Sequence, residues 1–369
     1  MEIARQHVVI AGAGIIGLAI ALELIHAGYR ITVVERGRAM EQASWAAAGM
    51  LAVEDPENAP ELLALSRLSR ALYPKFLAKV QGLSGVTVPW RTHHTLQGTH
   101  ASVDFLQMNA APAELPTLRT ERYNFTLLEE VSLDPRDLCM ALPRAAIAAG
   151  VTLREGATVT AVSQMDGGLE VHLSAEDDPR RYLEQRLEAD HFILACGAWS
   201  GQPSLLGMPA LPIAPRKGQM IEVTLDGTAL PLVIRTPELY LVPRSDGRVV
   251  IGATVEHAGF DRSTDQAASE RLWQAAASLW PPVLAGRITA QWTGLRPGFV
   301  EEVHDALPVI GRLQGNVWAA TAHFRNGILL APGTALLLRE MLCQETPSVG
   351  LAAFSPQRFM FASSHAWNS

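Results

Sequence analysis

The chain has 369 residues, 48% hydrophobic and 18% charged, with a formal net charge of −7. That length exceeds what one core supports, so two lobes are expected, and the acidic balance without a Lys/Arg run argues against a nucleic-acid partner. Three widely spaced cysteines (Cys139, Cys196, Cys343) form neither a disulfide framework nor a metal pair, and no 18-residue uncharged apolar run predicts a membrane span. A reducing, cytoplasmic setting fits. The chain enters its first strand almost at once, so no signal peptide is expected.

His7–Ala11 is a short apolar run with strand character. Gly12-Ala13-Gly14-Ile15-Ile16-Gly17 follows directly. A helix with apolar Ile15, Leu18, Ala19, Leu22 and Ile25 then runs to Gly28. Ile31–Glu35 is a second strand, ended by a carboxylate 18 residues beyond Gly17. This strand–turn–helix–strand unit predicts dinucleotide binding. Gly12 permits the tight turn, Gly14 lets backbone approach the pyrophosphate, and Gly17 lets helix and strand pack closely. The helix start at Ile15 and Ile16 presents free N–H groups to phosphate, while Glu35 accepts ribose hydroxyls and Arg36 follows it.

Farther on, Leu62–Val80 has helical apolar spacing. Asp134-Pro135 opens another helix, with Asp as N-cap and Pro at the first position, stopping at Gly150. Val151–Leu153, Thr158–Val162 and Leu169–Leu173 read as strands, residues 174–186 as a hairpin loop, and Ala189–Cys196 as one buried strand ending at Gly197. Between about 210 and 300, strands dominate: Met220–Thr224, Leu239–Pro243, Val249–Thr254 and Ile288–Thr293, with a helix over Asp265–Leu279. That pattern predicts an antiparallel sheet covered on one face. Val317–Ala320 is a further strand and Gly327–Met341 a final helix. The expected fold class is α/β (α+β overall): a Rossmann-like nucleotide domain from residues 1–80, 134–209 and 300–369, with an antiparallel-sheet substrate domain from 81–133 and 210–299 inserted.

Glu35 suits NAD and FAD equally. No second Gly-x-Gly-x-x-Gly exists, however, and reduction of a flavin by a nicotinamide needs two nucleotide sites. If the single site holds FAD, the substrate supplies the electrons.

Four further segments carry a resemblance. Ala43-Ser44-Trp45-Ala46-Ala47-Ala48-Gly49-Met50-Leu51, Ile193–Ser200, Gly294-Leu295-Arg296-Pro297-Gly298 and His323–Gly333 resemble, in order, the signatures of FAD-dependent amino acid and amine oxidases. That family includes D-amino acid, sarcosine and glycine oxidases, and the likeness is strongest to glycine oxidases of thiamine biosynthesis. It implies a glutathione-reductase-type FAD domain and non-covalent FAD. The flavin would lie along Ala43, Ser44, Ala47, Ala48, Gly49 and Met50. Val159 would meet the adenine, and Gly197 and Trp199 would form a second wall. His323, Phe324, Asn326, Gly327, Ile328 and Leu329 would bring a helix start to the flavin ring, favouring charge on its pyrimidine oxygens.

The resemblance also implies a substrate site. Arg296 would clamp the substrate carboxylate, because guanidinium binds it in a planar, two-pronged way that lysine cannot copy. Tyr240 would add a hydroxyl, and Arg325 would contact substrate or flavin. His323 is expected to make a structural hydrogen bond, and Arg244 to anchor a loop. His93, His94, His304 and His365 lack ligand company, so no metal is expected. If the strand before Tyr240 is regular, Glu238 faces the same way and reaches the pocket rim. Val255 stands where glycine oxidases carry a longer Met.

The expected reaction is oxidative deamination of glycine, sarcosine or a small D-amino acid, by hydride transfer from Cα to flavin N5, with dioxygen reduced to hydrogen peroxide. The imine would feed thiazole formation. Alternatives are a dehydrogenase passing electrons to a quinone or carrier, and a non-catalytic flavin-binding subunit. A homo-oligomer is expected.

Overall fold

The computed structural model describes residues 5–100, 113, 115–175, 185–202, 210–227 and 229–360. Two sheet systems share the chain. The first is a six-stranded sheet in the order Val309–Gln314, Val317–Thr321, His191–Leu194, His7–Ala11, Arg30–Glu35 and Thr152–Glu155. It is parallel except for its Val309–Gln314 edge. Alternation along the central strand divides two cores. Val8 and Ile10 join the helices Ile15–His26, Leu63–Ser84, Pro135–Ala148 and Gly327–Leu342. Val9 and Ala11 join Val159, Val162, Leu169 and Val171 of an antiparallel meander, Ala157–Met165, Gly168–Ala175 and Gln185–Ala189. A parallel strand covered on both faces is apolar on both, which is why His7–Ala11 shows no polar alternation.

The second system is a seven-stranded sheet in the order Arg287–Phe299, Ile213–Thr224, Arg248–Gly252, Tyr240–Pro243, Val233–Arg235, Thr95–His100 and Tyr123–Leu128. Ile221, Val223, Leu241 and Ile251 bury against helix Gln266–Leu279 through Leu272 and Ala276. The other face, with Met220, Val242 and Val250, packs on Ala46 and Ala48. The expected α/β class with an added antiparallel sheet is what the chain forms.

The expected helices form with small boundary shifts: Leu63–Ser84, Pro135–Ala148 with Asp134 accepting from Arg136 N–H at 3.0 Å, and Gln266–Leu279 with Asp265 as cap. The single strand expected over Ala189–Cys196 is two. Asp190 breaks it: its carboxylate accepts from His7 N–H at 2.6 Å and its own N–H donates to His7 carbonyl. That turn carries the chain from the meander into the parallel sheet. The 174–186 loop lies largely outside the described residues, as does His365.

Helix Gly327–Leu342 contains Pro332. Lacking an N–H, Pro332 leaves the Ile328 carbonyl without its helical donor. Tyr73 supplies one through its hydroxyl, and Ser69 bridges the next rung, donating to Leu329 carbonyl at 2.6 Å and accepting from Gly333 N–H at 2.9 Å. Helix Leu63–Ser84 thus fixes where the final helix begins.

Candidate active site

One elongated cavity of about 730 Å³ runs from Glu35 and Val159 to Tyr240 and Arg296. Every expected site residue lines it except two. Gly17 lies beneath, where a β-carbon would collide with the Gly12 carbonyl. Leu329 is 1% exposed in the helical core, because the helix has already turned its next residue inward.

At the nucleotide end, Gly12 has φ +103° and a β-carbon there would strike the Ala195 carbonyl. Only glycine fits that turn. Gly14 caps the first helix with no side chain of its own, and Ser44 Oγ accepts from Ile15 N–H at 3.0 Å. Glu35 accepts from Ala13 N–H at 2.9 Å and Gly37 N–H at 3.1 Å, which holds its carboxylate at the cavity wall. Val159 sits on the outer strand of the meander, next to a bulge. The Arg36 guanidinium stands 3.7 Å above the Trp199 ring. Cys196 donates to Ala11 carbonyl at 3.4 Å, and burial pushes its thiol up to about 12, so it stays neutral.

In the middle, Ala46 and Ala48 pack on the seven-stranded sheet. Trp292 Nε1–H donates to Ala46 carbonyl at 3.1 Å, and Gly294 leaves room for the Ala46 methyl. Arg244 anchors the same loop as expected: it donates to Ala48 carbonyl at 2.8 Å and lies 3.4 Å from Asp134. Opposite, helix Gly327–Leu342 opens with Asn326, which makes no capping side-chain bond and instead donates to Asn58 Oδ1 at 2.8 Å. Its first amides therefore point a partial positive charge into the cavity. The preceding loop is held in the left-handed region at Ala322 (φ 56°) and Phe324 (φ 46°). His323 bonds Thr334 Oγ1 at 3.0 Å, and burial lowers its pKa to about 3. It is a neutral structural histidine.

At the far end, Arg296 donates to Thr254 carbonyl at 3.1 Å and lies beside Tyr240. Gly218, on the strand paired with that of Arg296, and Gly252, opposite Tyr240 in the ladder, leave room for these side chains, since a β-carbon at either would overlap them. Among the described residues Arg296 has no acidic partner. Burial raises the Tyr240 phenol, opposed by the guanidinium of Arg296 and, more weakly, those of Arg244 and Arg325. Burial lowers the Arg296 pKa, but from a value so high that the group stays charged.

Arg325 lines the cavity, but its guanidinium is engaged by Glu57 and by Asp55 at 3.2 Å. Arg235 adds a second cation behind Asp55, 3.0 Å from buried Glu130. No motif pointed to Asp55, Glu57 or Glu130. The reading of Glu238 rested on a regular strand. Instead Thr236–Leu239 is the hairpin turn, closed by Thr236 N–H to Leu239 carbonyl at 2.8 Å; from it Glu238 still lines the cavity, as expected, and accepts from the Tyr123 hydroxyl at 2.6 Å. Val255 is 61% exposed at the cavity mouth, and His93, His94 and His304 are exposed.

A glycine-lined turn, two helix starts aimed into one long cavity and a carboxylate at its nucleotide end fit an extended dinucleotide. With a guanidinium at the opposite end, they define a flavin-dependent oxidoreductase. Residues 7–341 match the family model for FAD-dependent oxidoreductases of the D-amino acid oxidase (DAO) type, and the chain belongs to that family. It is 32% identical to a glycine oxidase of Pseudomonas aeruginosa, over 95% of this chain and 98% of that one. It is 35% identical to the bifunctional protein ThiO/ThiG of Synechocystis sp., over 96% of this chain and 54% of that protein. The crystal structure of glycine oxidase from Geobacillus kaustophilus superposes with a TM-score of 0.85 at 26% identity, over 95% and 98% of the two chains. The protein is an FAD-dependent amino acid oxidase.

Proposed function

We propose that the protein oxidatively deaminates glycine, sarcosine or a small D-amino acid. The substrate and water yield the oxo acid and ammonia or amine, while dioxygen becomes hydrogen peroxide. The observation that carries this reading is Arg296: a guanidinium at the end of a flavin-sized cavity, oriented by Thr254 and Tyr240, with no acidic partner among the described residues. Such a group is matched by a carboxylate. Bound FAD supplies the redox chemistry, accepting two electrons from the substrate and passing them to dioxygen. The chain's own residues do the rest. Gly12, Gly14, Glu35 and Arg36 hold the nucleotide half. Ser44, Ala47 to Met50 and the Gly327 helix start hold the ring. Arg296 and Tyr240 orient the substrate carboxylate. Arg325, through Asp55 and Glu57, fixes the loop that covers this end.

The proposal extends to the lobes: residues 1–80, 134–209 and 300–369 bind FAD, and 81–133 with 210–299 shape the substrate site. By likeness to the ThiO/ThiG relatives, the imine is assigned to thiazole formation in thiamine biosynthesis. The test is an anaerobic panel of glycine, sarcosine, D-alanine, D-proline and basic D-amino acids, read by bleaching of the flavin band and then by peroxide on aeration. Bleaching by a small amino acid followed by peroxide supports the reading. A panel that leaves the band unchanged overturns it.

A further inference from the structure

A strap leaves the antiparallel sheet after Gly252 and lies against the nucleotide end of the cavity. Its tether is Lys217, 4% exposed. Lys217 Nζ lies 2.6 Å from Asp261 Oδ2 and 3.8 Å from Glu256 Oε2. Lys217 and Glu256 also exchange backbone hydrogen bonds at 3.0 and 2.8 Å. Asp261 accepts in addition from the N–H and hydroxyl of Ser263, so the strap is folded on itself as well as pinned.

The pinned strap presents Phe260. Its ring stacks on Trp199, with centroids 5.2 Å apart and planes 26° apart. Trp199 belongs to the turn after His191–Leu194, in the other sheet system, and lines the cavity. The Arg36 guanidinium also packs on that indole, 3.7 Å from its centroid, so Trp199 is contacted by both Arg36 and Phe260. Phe260 is 42% exposed and belongs to none of the apolar clusters among the described residues. Core packing therefore does not account for it. The wall it backs does: Arg36 follows Glu35, whose carboxylate sits where a nucleotide ribose is held.

We propose that Phe260 is a cofactor-retention residue: tethered through Asp261 to Lys217, it braces Trp199 and Arg36 around the adenosine half of FAD and slows its release. This rests on the reading of Arg36 and Trp199 as the nucleotide end of the site. A stack between the lobes acts on departure, because the two must separate for a long, buried dinucleotide to leave. Phe260 itself makes no contact with Arg296; the strap reaches that clamp only through the Thr254 carbonyl, upstream of the stack.

The experiment follows FAD release from diluted holoenzyme by the flavin fluorescence of filtrates. Phe260→Ala releases FAD about tenfold faster, the scale of one lost aromatic stack. Asp261→Asn moves the rate the same way, and Phe260→Trp restores the parent rate. In the Phe260 variants the bound flavin spectrum and the KM for substrate stay unchanged. A Phe260→Ala release rate within twofold of the parent overturns the proposal. Arg36→Ala separates the two levels. If it speeds release while Phe260→Ala does not, the strap alone is wrong; if neither changes release, the placement of the adenosine half is wrong as well.

Discussion

Gly218, two residues along the strand from the ladder partner of Arg296, lies against the Arg296 guanidinium, so that any side chain there would occupy the space of Nη1. The clamp is thus set by a residue that bears no functional group. Gly218→Ala is expected to swing the guanidinium aside and raise the KM for amino acid about tenfold, with FAD content unchanged. Steady-state peroxide assays beside the flavin absorbance of the purified variant measure both.

Arg296→Ala removes the group itself. Loss of one partner of a buried, hydrogen-bonded charge pair costs about 2–5 kcal/mol, so kcat/KM should fall by at least thirtyfold. Arg296→Lys should recover little of this, because a point charge does not reproduce the planar fork. Substrate affinity retained in the alanine variant would refute the clamp.

Glu57 pairs with Arg325, a cation that lines the same cavity as Arg296. Glu57→Gln lowers the negative charge at the mouth and leaves Asp55 to hold the loop. The KM for glycine should drop by roughly threefold, the scale of one partly exposed ion pair. An unchanged or higher KM would show that Glu57 only anchors the loop.

His323 makes stability depend on pH. Its folded pKa of about 3 lies below the unfolded value of 6.5, so the unfolded chain binds a proton that the folded one refuses. Stability from this group is full above pH 6.5 and falls as pH drops toward 3, by about 1.4 kcal/mol per unit. Denaturant unfolding at pH 7 and 5 should show that slope in the parent and lose it in His323→Asn.

Tyr73→Phe removes the donor to the carbonyl that Pro332 leaves free. An orphaned buried carbonyl costs about 1–3 kcal/mol, so the midpoint of unfolding should fall while the KM stays near the parent value.

Much of this architecture was legible in the chain, for reasons that differ by region. The first strand–helix–strand unit shows because its glycines answer to local constraints: Gly12 to a positive φ, Gly17 to contact with the Gly12 carbonyl. The strands Ile213–Thr224 and Arg287–Phe299 extend well beyond the expected Met220–Thr224 and Ile288–Thr293, through prolines and glycines that carry no apolar strand signal. In the sheet Pro215 faces Pro297 and Gly218 faces Gly294, so the missing donors fall on one rung and the missing side chains make room for others. Thr95–His100 and Tyr123–Leu128 went unseen because their pairing is with strands distant in sequence. In the site, Arg296, Tyr240 and the glycine turn lie within motifs. Asp55, Glu57 and Phe260 act only through what the fold brings to them, and Glu238 reaches the cavity as expected but from a hairpin turn, not a regular strand.

The position of His7–Ala11 in the middle of the parallel sheet has a consequence for biogenesis. One flank is covered by Arg30–Glu35 soon after synthesis, but the other waits for His191–Leu194, roughly 180 residues later. At about 5–20 residues per second, a growing polypeptide carries that bare apolar ribbon for roughly 10 to 40 s. Translation speed and chaperone supply should therefore govern how much of the yellow protein a cell recovers.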